Sequence, residues 1–205
     1  MLACGGTSDE PVGFPGPRFA RALRYALEAH RGQARKGKPA PMGAHLLGVA
    51  ALVLENGGDE DQAIAALLHD AAEDAGGLER LADIRARFGD RVAAIVSDCT
   101  NAFEHPEPPW IERKRRYVEH LAEAREDALL VSLADKLYNV RAILLDQGAV
   151  GEEVWDRFSA KAEETLGYYE ELAAVFARRT PGPLADELTR TVRRIRARRR
   201  RNLRA

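Results

Sequence analysis

The chain has 205 residues, of which 45% are hydrophobic and 31% charged, and its formal net charge is -1. This length allows one large domain or two small ones, with a core that needs no disulfide to hold it. Two cysteines are too few for a disulfide framework, which favours a reducing, cytoplasmic location, and no apolar run reaches the roughly 18 residues of a membrane span.

Helical spacing of apolar residues recurs along most of the chain, whereas no segment alternates convincingly like a strand. The first 17 residues are rich in glycine and proline and predict a flexible leader. The predicted helices cover 18–34, 44–55, 59–76, 79–88, 90–103, 109–125, 127–146, 152–178 and 183–200. We therefore predict an all-α protein, a single globular bundle of about eight helices or more, with its main domain at 18–180 and a C-terminal helix at 181–205.

The C-terminal helix carries an arginine-rich tail. Residues 188–205 contain nine arginines and no acidic residue, so the rest of the chain is acidic. One interpretation is a solvated, fraying helix end. The other is an anion-seeking tail that contacts RNA or an acidic partner surface.

The segment AALLHDAAEDAGG (65–77) places four ionisable residues in a helix otherwise suited to burial. Positions four apart share a helix face, so His69 pairs with Glu73, and Asp70 with Asp74. Burying these groups as isolated charges costs several kcal/mol each. A divalent cation would turn them into ligands and supporting partners, which predicts a metal site.

Two further residues complete a candidate ligand set. His45 lies near the start of the apolar segment 44–55, and Asp135 lies within the apolar run 129–145. Taken singly, His45 could be a core histidine and Asp135 an ion-paired acid. Because these residues and the His69–Asp70 pair all lie in apolar helices, the metal interpretation is favoured. Two imidazoles and two carboxylates suit Mn, Fe, Zn or Mg rather than copper.

The segment WIERKRRY (110–117) follows several prolines and predicts a basic helix. It is interpreted either as a solvated charged face, with Trp110 and Tyr117 turned inward, or as a basic wall beside the phosphates of a ligand.

Four sequence blocks together resemble the HD-domain metal-dependent phosphohydrolases. These blocks are AHRGQARKG (29–37), AHLLGVA (44–50), ALLHDAAED (66–74) and SLADKLYNVR (132–141). Within that family, the chain is most similar to the small stand-alone alarmone hydrolases of the RelA/SpoT-homologue group. The resemblance covers roughly residues 18–178.

The resemblance implies a metal-dependent enzyme that removes the 3′-pyrophosphate of a guanosine alarmone, (p)ppGpp. Its implied metal ligands are His45, His69, Asp70 and Asp135, with Mn²⁺ as the expected ion. Glu73 and Asp74 correspond to the pair that orients or deprotonates the attacking water. The residues that we assign to the substrate are Arg35, Lys36, Asn139 and Arg141.

Two positions depart from the family pattern. Met42 and Tyr138 stand where the family often has Tyr and His, near the expected nucleotide pocket. These departures leave other substrates open for the same chemistry: ppApp, NADPH through hydrolysis of its phosphate, or nucleoside mono- and triphosphates. A further alternative is a non-catalytic nucleotide sensor whose arginine-rich tail binds RNA.

Overall fold

The computed structural model describes residues 15–100 and 108–204. Most of the predicted leader (1–17) and the last residues of the helix predicted at 90–103 lie outside the described residues. The structural account below concerns the described parts of the chain.

Helices dominate the described residues. In chain order they are α1 (Pro17–Ala29), α2 (Met42–Glu55), α3 (Glu60–Leu68), α4 (Ala71–Asp74), α5 (Gly77–Phe88), α6 (Asp90–Cys99), α7 (Trp110–Glu123), α8 (Glu126–Val150), a 3₁₀ helix (Gly151–Arg157), α9 (Ala162–Arg179) and α10 (Pro183–Asn202). One antiparallel bridge joins Ala34 and Pro41 in the loop between α1 and α2. The predicted all-α fold is confirmed. No helix in these ranges combines the length and the apolar character needed to cross a membrane.

The loop between α1 and α2 departs from the prediction. The helix predicted at 18–34 ends at Ala29, and residues 30–41 form a loop instead. Gly32 and Gly37 adopt positive φ angles of 77° and 71°, a backbone conformation that a right-handed helix cannot contain. The loop lies beside the functional site described below.

Two other predicted helices are interrupted. The helix predicted at 59–76 breaks at His69 and Asp70, so that α3 ends and the four-residue α4 begins on either side of this pair. The helix predicted at 152–178 begins as the 3₁₀ helix, and α9 starts only at Ala162. The Lys161 backbone N–H donates to Glu164 Oε2 at 2.8 Å, which marks the start of α9.

The centre of the fold consists of α2, α3 and α8, which contact one another pairwise. All residues from Ala63 to Leu68 in α3 are fully buried, and seven of the fourteen residues of α2 are buried. A helix that is apolar all round belongs in the interior, because burial of apolar surface drives folding. Polar groups on these three helices are therefore held in a tightly packed interior.

The C-terminal helix α10 belongs to the same core. Leu188, Val192 and Ile195 are buried against α8 and α9. Arg196 pairs with Glu163 and Glu170 of α9.

The arginine-rich segment is therefore neither a frayed end nor wholly free to bind a partner. It is helical to Asn202. Arg198 donates a hydrogen bond to the Leu144 carbonyl, and Arg199 pairs with Glu152. Contact with RNA stays a prediction, and the exposed arginines that it could use are Arg190, Arg193, Arg194, Arg200, Arg201 and Arg204.

Because α10 packs into the core, we expect Leu188→Ala to lower the free energy of unfolding by about 2–5 kcal/mol. The exposed Arg193→Ala in the same helix should change it by less than about 0.5 kcal/mol. Urea unfolding followed by circular dichroism measures both. Equal, small effects would show that α10 is an independent appendage.

Candidate active site

Four potential ligand side chains meet where the three central helices converge. His45 lies in the first turn of α2, and Asp135 lies midway along α8. His69 and Asp70 occupy the break between α3 and α4. The break ends the regular helix at the cluster, and it allows neighbouring residues of the chain to turn toward the same point.

The ligand atoms of these side chains are closely spaced. The two imidazole Nε2 atoms are 3.2 Å apart. Asp70 Oδ2 lies 3.4 Å from His45 Nε2 and 3.2 Å from His69 Nε2. Asp135 Oδ1 lies 3.2 Å and 3.6 Å from the same two nitrogens. The histidines and Asp135 are almost fully buried, whereas a quarter of the Asp70 side chain is exposed.

This spacing fits a shared cation. Ligand atoms about 2.1 Å from one ion are about 3.0 Å apart at right angles and about 3.4 Å apart at tetrahedral angles. The His69 Nδ1 atom lies 2.8 Å from the Ala66 carbonyl oxygen, which can only accept a hydrogen bond, so Nδ1 carries the hydrogen. In the neutral ring, the Nε2 lone pair therefore faces the cluster, as a metal ligand requires. The ligand atoms of His45, His69 and Asp70 all lie within 4.8 Å of one another, and Asp135 Oδ1 contacts both imidazoles.

Asp135 is oriented by two neighbours on α8. Lys136 Nζ lies 2.6 Å from Asp135 Oδ2, and Asn139 Nδ2 donates to Asp135 Oδ1 at 2.6 Å. Burial opposes ionisation of Asp135, but the Lys136 charge and the hydrogen bonds from His45 and His69 together outweigh it and hold the pKa of Asp135 well below its usual range. Asp135 therefore forms the ion pair of one sequence interpretation, and its contacts with both histidines keep the metal interpretation as a prediction.

Opposite charges also decide the ionisation of Asp70 and His69. Burial would raise the pKa of Asp70, but the His69 charge and hydrogen bonds from both imidazoles lower it strongly. Burial would likewise lower the pKa of His69, but the Asp70 and Asp135 charges raise it well above its usual value. Both carboxylates are therefore ionised at neutral pH, which is the state that binds a cation.

Glu73 and Asp74, the predicted catalytic pair, lie in α4 beside the cluster and line the adjoining cavity. Gln33 Nε2 donates to Asp74 Oδ2 at 2.7 Å, and Glu73 Oε1 lies 3.7 Å from an Arg113 guanidinium nitrogen. Loss of solvation and then the nearby Asp70 charge raise the pKa of Asp74. A carboxylate with a raised pKa accepts a proton more readily, which suits a general base.

A cavity of about 630 Å³ opens from the cluster. One wall is a stripe of α8 that begins at Asp135, and another is the loop 30–41. Parts of α7 and α9 complete it. Apart from the four cluster residues, most of the charged side chains that line the cavity are cationic: Arg35, Lys36, Lys38, Lys114, Lys136 and Arg157.

Three of the four predicted substrate residues line this cavity. Arg35 and Lys36 come from the loop 30–41, and Arg35 donates to Asn139 Oδ1 at 2.7 Å. Arg141 does not belong to this set, because its guanidinium pairs with Glu187 of α10 at 2.7 Å. Arg141 follows Asp135 by six residues, which places the two side chains about 120° apart around α8 and on different faces.

The two departures from the family pattern occupy different places. Met42 is buried and lines the cavity. Tyr138 packs edge-on against the His45 ring, with centroids 5.2 Å apart, and its hydroxyl donates to the Ala44 carbonyl at 3.3 Å. Met42 can therefore contact a ligand, whereas Tyr138 supports a histidine of the cluster.

The helix α7 has a solvated charged face and a second face that lines the cavity, so each of its two sequence interpretations describes part of the helix. Trp110 and Lys114 line the cavity, while Arg115 and Arg116 are exposed. Burial lowers the pKa of Lys114 to about 8. The basic segment therefore has one solvated face and one face toward the cavity.

Sequence reasoning missed two polar residues of α9. Thr165 and Tyr168 line the cavity, and their hydroxyl oxygens are buried without a hydrogen-bond partner among the described residues. Buried hydroxyls normally find partners, so these two are suited to bind polar groups of a ligand. The only signal in the sequence was their spacing of three residues in a largely apolar helix.

Comparison with known proteins identifies the family of this chain. The family model described as HD domain matches residues 22–175. The chain belongs to the HD-domain family. The predicted resemblance to its small alarmone hydrolases is confirmed by the relatives described next.

Two animal relatives are each called guanosine-3′,5′-bis(diphosphate) 3′-pyrophosphohydrolase MESH1. The Xenopus tropicalis protein is 41% identical over 123 residues, which cover 58% of this chain and 66% of that protein. The human protein is 35% identical over 133 residues, which cover 63% of this chain and 72% of that protein. The chain thus spans about two thirds of the length of these relatives.

Two solved structures share the HD-domain fold. One is described as a metazoan ortholog of SpoT that hydrolyzes ppGpp; it has a TM-score of 0.58 and 29% identity, and covers 82% of this chain and 99% of its own. The other is lmo0812 from Listeria monocytogenes EGD-e, with a TM-score of 0.63 and 31% identity, covering 73% and 96%.

If the HD-domain cluster holds a cation, Mn²⁺ should stabilise the metal-free protein. At a free concentration of 100 times Kd the gain is about 2.7 kcal/mol, or about 5–10 °C in Tm for a chain of this size. We expect His69→Gln to lose this shift. The matched control His120→Gln, at a half-exposed histidine, should keep it. A shift of the same size in His69→Gln would place the ion elsewhere.

Proposed function

We propose that this protein hydrolyses the 3′-pyrophosphate of a guanosine alarmone, (p)ppGpp, in a reaction that depends on a divalent metal, with Mn²⁺ as the expected ion. The observation that carries the proposal is the meeting of two imidazoles and two carboxylates at one end of a cation-lined cavity. The names of the animal relatives support the choice of substrate. A cytoplasmic location remains part of the proposal, because two cysteines in 205 residues are too few for a disulfide framework.

In this proposal His45, His69, Asp70 and Asp135 hold the cation. A divalent ion at such a site would supply charge that neutralises phosphate oxygens and would lower the pKa of a bound water to about 7. Phosphoryl transfer needs little covalent help from the protein, so the remaining contribution is positioning and charge.

Glu73 and Asp74 are suited to orient the attacking water and accept its proton. The raised pKa of Asp74 favours it as the proton acceptor, and its hydrogen bond from Gln33 fixes the direction of the carboxylate. The Arg113 guanidinium beside Glu73 can hold the direction of its carboxylate, which suits an orienting role.

The cavity walls suit a polyanionic nucleotide. Arg35 and Asn139 are joined by a hydrogen bond next to Asp135, so both can contact a phosphate bound beside the cluster. Lys36 and Lys114 add positive charge. The buried hydroxyl of Thr165 can bind a ribose or base group, which would satisfy its hydrogen-bonding capacity.

A second candidate keeps the site and changes the nucleotide. Met42 lines the cavity where the family often has an aromatic ring, so contacts to the base can differ from those of relatives. ppApp, NADPH and nucleoside mono- or triphosphates are therefore the competing substrates.

With Mn²⁺ and a nucleotide panel, we expect pyrophosphate release to be fastest from (p)ppGpp. Asp70→Ala should lower kcat by about a thousandfold or more, because a catalytic cation contributes several kcal/mol. Detection of phosphate and pyrophosphate separately identifies the bond that breaks. The control Asp90→Ala removes a highly exposed carboxylate and should retain activity. Metal-loaded protein that is inert on alarmones would rule out the proposal.

The pH dependence of substrate binding should depend on Lys114. Its pKa of about 8 means that its positive charge is present at pH 7 and lost by pH 9. Because this charge attracts the substrate phosphates, we expect KM to rise severalfold over that range. In Lys114→Met, KM should already be high at pH 7 and stay level. In Lys114→Arg, which keeps its charge, KM should stay low, and a persistent rise would assign the effect to another group.

A further inference from the structure

One face of α8 forms the long wall of the cavity. Asp135 and Asp146 are eleven residues apart on this helix, which corresponds to about 16 Å along its axis. Eleven steps of about 100° bring the helix back to within about 20° of the same direction, so both residues share one face. Asn139, Ala142 and Ile143 lie between them, and all five line the cavity. The wall thus runs from the cluster of potential ligands to a second acidic residue, Asp146.

The loop 30–41 runs alongside this wall. Arg35 contacts Asn139, close to the cluster end. Three residues later, Lys38 Nζ lies 2.7 Å from Asp146 Oδ2, at the far end. The side chain of Arg157 packs so closely on Gly37 that an added Cβ would lie 2.5 Å from its Cδ. The loop and the 3₁₀ helix therefore bring two cations to Asp146.

The far end of the cavity carries an excess of positive charge. Arg157 also donates to Asp146 Oδ2 at 2.7 Å, so both cations share a single carboxylate oxygen. One carboxylate neutralises only one of them. The Lys38 and Arg157 side chains are 28% and 26% exposed, and both line the cavity. Nothing in the proposed hydrolysis at the cluster uses either residue.

We infer that Lys38 and Arg157 form a second anion subsite, which binds the phosphate group that does not react. This inference rests on the proposed function: a nucleotide whose 3′-pyrophosphate lies at the cluster would direct its 5′-phosphates toward this end. The arginine fork and the lysine ammonium match phosphate oxygens, and Asp146 holds both cations in position until the phosphate binds. The subsite selects nucleotides phosphorylated on both the 3′ and the 5′ oxygen over those phosphorylated on one.

A purely structural role for the same contacts predicts a different result. If Lys38, Asp146 and Arg157 only fasten the loop to α8, their substitution should affect all substrates equally. An anion subsite instead makes the effect depend on the number of 5′-phosphates. Asp146→Asn separates the two roles further, because it removes the competing carboxylate and should tighten binding of 5′-phosphorylated substrates.

The experiment compares guanosine 3′-diphosphates that carry a hydroxyl, one phosphate or two phosphates at the 5′ position. In the wild-type protein with Mn²⁺, we expect KM to fall about tenfold from the 5′-hydroxyl to the 5′-diphosphate, with kcat nearly unchanged. Lys38→Ala and Arg157→Gln should each remove most of this difference and leave the KM of the 5′-hydroxyl compound as it was. Arg115→Ala removes the same charge from an exposed position on α7 and should preserve the full difference in KM.

Calorimetric titration of the same three compounds into the Mn²⁺-loaded proteins gives a readout that does not require turnover. Absence of turnover for all three compounds would reject the proposed hydrolysis, yet the binding series would still test the subsite. Affinity that is independent of the 5′-phosphates in the wild-type protein would overturn the inference. So would a Lys38→Ala effect that is equal for all three compounds.

Discussion

The structure depends on an electrostatic constraint at the junction of α2, α8 and the break between α3 and α4. Two imidazole nitrogens and two carboxylate oxygens lie 3.2–3.6 Å from their neighbours in a largely buried position. Such a group is costly in an apolar core unless positive charge is supplied. Protonation of His69 supplies it in the metal-free protein, as the raised pKa indicates, and a divalent cation supplies it in the proposed enzyme.

The surroundings of this cluster follow from the same requirement. Asp135 is held by Lys136 on one oxygen and by Asn139 on the other, so its orientation does not depend on a bound ion. Asn139 in turn holds Arg35, which begins the line of cations along α8. A polyanionic ligand therefore meets positive charge along the whole cavity, from the cluster to the Lys38 and Arg157 pair at Asp146.

Local pattern predicted much of this arrangement. Apolar runs around His45, His69 and Asp135 indicated the buried helices, and ionisable groups inside them indicated the cluster. The break at His69 and Asp70 was not predictable from periodicity, since Ala-rich flanks favour a continuous helix. Arg141 was misassigned because sequence proximity to Asp135 does not determine which face of α8 a residue occupies. Packing of α7 and α9 over the cavity is a long-range property, so the basic-wall interpretation of 110–117 stayed one of two alternatives and Thr165 carried little signal.

The most direct measurement is anomalous X-ray diffraction from crystals of the Mn²⁺-loaded protein at the manganese edge. The account predicts one strong peak at the junction of α2, α8 and the α3–α4 break, about 2.0–2.3 Å from the ligand atoms of His45, His69, Asp70 and Asp135. A peak elsewhere in the molecule, or none at saturating Mn²⁺, would contradict it.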